Sequence, residues 1–326
     1  MKQICTVSVI VSIFLLSISC VNPGKQQKTQ PLRFVLPDLP LTVSTDREAS
    51  AYMARHYWTH FPFEDSTCIH QEEFARPVFT RFVQVLGEVT PDDARESIAN
   101  LMRLAGNSGK DTATQKAVFR YFFDLCSHYF HDPNSPFVNE ELFIPALKAF
   151  LESSLPDDGD KIQPAFLLEL AMKNRAGEKA QDFGFVSATG NFPYTDDPSR
   201  IQTIYSLKTP YLLLFFSNPG CPNCRDVIQQ LLNSALLSEM IQRKDLVILT
   251  IYPDQDLEAW QNYLPQLPAQ WINAYNPGAQ VKDNHLYDLK AIPTLYLLDA
   301  NKTVLVKDGT SATQIEAALK QQAYFL

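Results

Sequence analysis

The chain has 326 residues, of which 45% are hydrophobic and 20% charged, so it is rich enough in apolar side chains to fold and long enough for two domains. With 28 Lys+Arg against 36 Asp+Glu the formal net charge is −8, which provides no basic field for nucleic acid. The 11 glycines include no G-x-G spacing, Gly109-Lys110 lacks the upstream glycine of a phosphate loop, and no G-x-S-x-G turn is present.

The first segment is a leader. Lys2 precedes an uncharged, largely apolar run from Val7 to Ile18, then Ser19-Cys20. The run is shorter than the roughly 20 apolar residues needed to span a bilayer. Leu15-Leu16-Ser17-Ile18-Ser19-Cys20 resembles a bacterial lipoprotein processing site, although Ser17 stands where leucine is usual. That resemblance implies removal of residues 1–19, acylation of Cys20, and attachment to a membrane of the bacterial cell envelope, facing the periplasm or on the outer membrane. Acyl chains would hold it there, each buried methylene adding about 0.8 kcal/mol. Residues 20–45 follow as the lipidated cysteine and a linker, rich in Gln, Lys and Pro.

Residues 46–175 carry a helical period. Val78, Phe79, Phe82, Val83 and Leu86 form one apolar stripe, and Ile98, Leu101, Met102 and Ala105 a second, entered through Thr90 as N-cap with Pro91 behind it. A third stripe runs through Val118, Phe119, Phe122, Phe123, Cys126, Tyr129 and Phe130, and a fourth through Phe143, Ala146, Leu147, Phe150 and Leu151. This pattern predicts a separate all-helical domain of five or six helices. Its aromatics, Trp58, Phe61, Phe63 and Phe122 among them, are spaced as core.

Past Gly177 the period changes. Tyr211–Phe216 and Leu246–Tyr252 are continuous apolar runs suited to strands buried on both faces, separated by a helix expected from Cys224 to about Arg243. Thr294–Leu298 and Thr303–Val306 flank Asp299-Ala300-Asn301-Lys302 as a hairpin, and an amphipathic helix closes the chain from Ser311 to Tyr324. Residues 177–326 therefore predict an α/β fold, a mixed sheet flanked by helices.

Cys221-Pro222-Asn223-Cys224 follows a buried strand and opens a helix, the context in which C-x-x-C acts as a redox pair. Unpaired N–H groups and the helix dipole favour an anionic sulfur at Cys221, which makes it the nucleophile. Pro222 suits the first helical position. Cys224, one turn inside, would attack a mixed disulfide formed on Cys221. In Ala291-Ile292-Pro293-Thr294, a proline stands at a strand entrance; a cis bond there would turn the Ile292 backbone toward the dithiol and offer it to a substrate strand.

These residues resemble the thioredoxin superfamily, most closely the exported TlpA-like thiol–disulfide oxidoreductases. The likeness covers residues 177–326: Gly177 to Phe183 as the entry segment, Cys221 and Cys224 as the dithiol, and Tyr287 to Asp299 as the cis-proline strand. It implies a thioredoxin-like fold and an enzyme that exchanges disulfides with exported proteins through Cys221 and Cys224, binds substrate backbone at Ile292 and Pro293, is recharged by a redox partner, and needs no cofactor. Gly220 replaces the family's tryptophan, and Phe215 stands where thioredoxins keep a buried acid, so another proton acceptor or water is required. The Pro-Asn pair leaves the direction of electron flow open. Tyr57 to Phe63 is similar to an uncharacterised helical module placed ahead of thioredoxin domains in bacterial lipoproteins. The alternative is a binding or scaffold lipoprotein in which the thioredoxin-like domain is a support or a redox sensor.

Cys68 and Cys126 each stand in Cys-x-His. Residues two apart on a helix diverge by about 200°, which argues against a metal cage but leaves buried thiols, a mutual disulfide and metal ligation as the choices. His56 and His60 are spaced i, i+4, yet Tyr57 occupies the place of a catalytic glutamate, so no metal site is expected. His285, just upstream of Pro293, is a weak candidate for proton transfer.

Overall fold

The structure is a computed structural model describing residues 32–107, 109–188 and 198–323. The leader and Cys20 lie outside the described residues, as does Tyr324. Among the described residues seven helices occupy the first half: α1 (Asp46–His56), α2 (Thr67–His70), α3 (Glu72–Leu86), α4 (Pro91–Asn107), α5 (Thr112–Phe130), α6 (Glu140–Glu152) and α7 (Asp158–Ala171). The sequence predicted five or six; α2 has only four residues, too few for a period to register. Starts are chemically marked. Thr45 and Glu48 close a capping box on α1, and the Thr90 hydroxyl accepts the Asp93 N–H at 3.2 Å before α4.

The core of this half is aromatic. Trp58, 2% exposed, meets Phe61, Phe82 and Phe122 edge-on at 5.1–5.3 Å between ring centroids. Such pairs are worth about 0.5–1.5 kcal/mol each beyond the area they bury. Phe34 joins them, 5.1 Å from Tyr57 and 6.1 Å from Trp58. The linker therefore docks on the helices twelve residues before α1, through the Phe34 ring.

The second half is a seven-stranded sheet, ordered β2-β1-β5-β4-β3-β6-β7. Its strands are β1 (Gly184–Ser187), β2 (Gln202–Thr203), β3 (Tyr211–Phe216), β4 (Leu246–Tyr252), β5 (Ile272–Tyr275), β6 (Thr294–Asp299) and β7 (Val304–Gly309). The helices are α8 (Pro222–Asn233), α9 (Ala235–Gln242), α10 (Leu257–Tyr263), α11 (Gln280–Asp283) and α12 (Ala312–Ala323). β3 pairs parallel to β4 and antiparallel to β6, so the sheet is mixed as expected. Alternation decides the layers: Leu213 and Phe215 face the core shared with α8 and α12, while Leu212, Leu214 and Phe216 face the opposite core with Tyr287 and Tyr296. The helix expected over 224–243 is two helices. Ser234 breaks it, its hydroxyl accepting the Leu237 N–H at 3.1 Å and donating to Glu316 at 2.6 Å.

The halves meet through charge. Glu140 at the start of α6 contacts both Lys290 and Lys307 at 2.7 Å, and Lys290 also reaches Asp288 at 3.1 Å. The Lys307 ammonium caps the C-terminal end of α7 by donating to the carbonyls of Ala171 and Lys173. Burial works to raise the Glu140 carboxyl, but Lys307 and Lys290 outweigh it and hold it at about 2.

Candidate functional site

Sheet register builds the site. Phe216, the last residue of β3, lies opposite Thr294, the first of β6, so the chain leaving one strand and the chain entering the other emerge side by side. The first continues through Ser217-Asn218-Pro219-Gly220 to Cys221; the second arrives through Ile292-Pro293, a cis peptide bond as expected.

Cys221 is the N-cap of α8, half-buried, and its sulfur accepts the Cys224 N–H at 3.2 Å. Pro222 follows as the first helical residue. The Cys221 thiol donates to the Ile292 carbonyl across 3.7 Å, which places this sulfur against the backbone beside the cis-proline. Cys224 is fully buried; burial and then the hydrogen bond with Cys221 push its thiol up to about 12. Both are free thiols, Cys221 partly exposed and Cys224 sheltered and held protonated. That asymmetry suits a nucleophile and a resolving group.

The departures from the thioredoxin pattern have local reasons. Gly220 sits at φ +74, a left-handed conformation that a tryptophan would adopt only under strain. Phe215 is fully buried, its ring edge-on to Trp271 at 6.3 Å, and leaves no acidic group at that position. Asn218 donates to Asp254 at 3.2 Å, and Asp254 pairs with Lys282, which ties the dithiol loop to α11.

The other sequence candidates fall elsewhere. Cys68 and Cys126 are free, buried thiols in the helical half, and His128, two residues from Cys126, is exposed on the other face. Burial, then the charge of Asp65, pushes Cys68 up to about 12, and burial raises Cys126 further. His56 stacks on Tyr52 at 4.2 Å and α1 ends there, so His60 does not share its helix. His285 meets Phe166 of α7 edge-on at 5.0 Å, which makes it part of the contact between the halves and not of the dithiol mouth. Sequence reasoning passed over Tyr263 and Trp271, whose polar atoms are buried without hydrogen-bond partners among the described residues, in the core that holds Cys224. The i, i+3, i+4 spacing of Trp260, Tyr263 and Leu264 was the available signal.

A dithiol at a helix N-terminus beside a cis-proline, on this sheet, defines a thioredoxin-like site. Residues 210–304 match a family described as thioredoxin-like, and residues 17–174 match a domain of unknown function, DUF5106. A thioredoxin-like protein from Bacteroides caccae is 36% identical with a TM-score of 0.79, the match covering 89% of this chain and 99% of that one. The C-terminal domain of an uncharacterized protein from Bacteroides fragilis is 38% identical over 45% of this chain and 98% of its own, with a TM-score of 0.40. Nucleoredoxin from Xenopus laevis is 25% identical over 118 residues, 36% of this chain and 28% of the relative, so the chain spans little more than a quarter of that curated protein. The chain belongs to the thioredoxin-like proteins, with a helical DUF5106 region ahead of the sheet.

Proposed function

We propose that this protein is a membrane-tethered, periplasm-facing thiol–disulfide oxidoreductase that exchanges disulfides with exported proteins through Cys221 and Cys224. The observation that carries the reading is the Cys221 sulfur at a helix N-terminus, 3.7 Å from the Ile292 carbonyl beside the cis-proline. A client strand laid along Ile292 would bring its disulfide to that sulfur. The Cys221 thiolate attacks one client sulfur; the client S–S bond breaks, a mixed disulfide forms, and the departing client thiolate takes up a proton. Cys224 then loses its proton and attacks Cys221, forming the internal disulfide and releasing the second client thiol. The sequence runs in reverse when the protein oxidises a dithiol, and a partner dithiol or disulfide restores the starting state.

Tethering is supported by the lipoprotein-like stretch Leu15 to Cys20. Among the described residues no helix is long and apolar enough to cross a membrane. Replacing Cys224 by Ala tests the reading: mixed disulfides with exported proteins should accumulate on Cys221. If none is captured and the wild-type chain exchanges no model disulfide, the domain is an inert support. Metabolic labelling with a fatty acid, compared with Cys20→Ala, tests the anchor.

A further inference from the structure

The chemistry just proposed needs Cys224, buried and held protonated, to become a thiolate in an apolar core where Phe215 stands in place of an acid. A thiolate forming there needs hydrogen-bond donors more than it needs a base, since its proton can leave with the client thiolate. Tyr263 supplies one. It ends α10, is 4% exposed, and packs in the same core cluster as Cys224, with Cys221 against that cluster. Its hydroxyl is buried with no hydrogen-bond partner among the described residues. Orphaned buried hydroxyls are rare because each costs about 1–3 kcal/mol. Ser217, itself buried, lies beside the phenol oxygen.

We propose that Tyr263 is the group that replaces the missing acid: its hydroxyl donates a hydrogen bond to the Cys224 sulfur as that thiol ionises, easing the resolving step. Burial, then the charges of Cys224 and Cys221, push the phenol up to about 12, so it stays protonated and keeps its donor, and both sulfurs lie within electrostatic reach. No proton is transferred to or from tyrosine. In the step it assists, the Cys224 S–H proton passes to the leaving client thiolate, the Cys221–client bond breaks and the Cys221–Cys224 bond forms.

The inference rests on the redox reading, and one assay separates the two. The full-length reduced chain is mixed with an aromatic disulfide whose thiolate is coloured. A first release reports attack by Cys221 and a second reports resolution by Cys224. Tyr263→Phe removes only an unpartnered atom, so the fold should hold, as a denaturant midpoint at or above that of wild type would verify. The variant should leave the first release unchanged, slow the second by about tenfold, the loss expected for a hydrogen bond to a charged group, and move its pH midpoint upward. An unchanged second release, or equal slowing of both, overturns the role of Tyr263 while the redox reading stands. Absence of the second release in the wild-type chain overturns the redox reading, and this inference with it.

Discussion

Among the described residues the two halves of the molecule each hold a pair of cysteines, and the contrast between the pairs separates packing from exposure. Cys68 and Cys126 lie among the aromatics of the helical half, fully buried, their thiols raised by lost hydration. Cys221 lies where β3 has ended and α8 begins, half-exposed, with a backbone N–H directed at its sulfur. In the first setting a thiol is a small apolar filler; in the second it is accessible to a reagent. The difference lies in burial: Cys68 and Cys126 are shut inside the helical half, whereas the Cys221 sulfur is partly open to solvent.

The sharpest way to break the contrast is to exchange the roles by mutation. Cys221→Ser should reduce disulfide exchange with a model substrate to the uncatalysed background, whereas Cys126→Ala should leave the rate intact and lower only stability. Next in size, Phe122→Ala, which opens the aromatic core around Trp58, should cost about 3–5 kcal/mol in urea unfolding, as large-to-small changes in packed cores do. Alkylation followed by mass spectrometry should then grade the thiols at neutral pH: Cys221 modified rapidly, Cys224 slowly because its raised value keeps it protonated, and Cys68 and Cys126 only on unfolding.

The smallest effect belongs to the junction. Burial, then the charge of Glu140, raises Asp308 from 3.8 to about 6 against the pull of Lys290. A carboxyl raised on folding contributes stability that is complete below its unfolded value and lost as pH climbs through its folded one. The wild-type chain should therefore lose stability between pH 4 and 6 relative to Asp308→Asn, in which that slope is absent. Asparagine tolerates the left-handed backbone of this residue, φ +53, so the comparison isolates the charge. Chemical denaturation at several pH values reads it.

Much of this was legible in the sequence because it is local. β3, β4 and the β6–β7 hairpin announce themselves as apolar runs with a marked turn, and Cys221-Pro222-Asn223-Cys224 states its position by following one of those runs. The short strands were missed for a physical reason: β2 has two residues and β5 is Ile-Asn-Ala-Tyr, too brief for alternation to show. The break at Ser234 was hidden because the apolar period continues through it, and only the cap chemistry marks the boundary. Tyr263 was illegible as a site residue, since whether a hydroxyl has a partner is a property of the folded interior. The Glu140 to Lys290 contact joins residues 150 positions apart, and no spacing rule reaches that far.

That contact also bears on how the molecule can be taken apart. Lys290 stands three residues ahead of the cis-proline, and its carboxylate partner belongs to α6, at the other end of the chain from the sheet. Excising residues 177–326 would strip two ammonium groups of that counter-ion. The shortened protein would keep its sulfurs and lose the carboxylate that ties the chain just ahead of the cis-proline to α6.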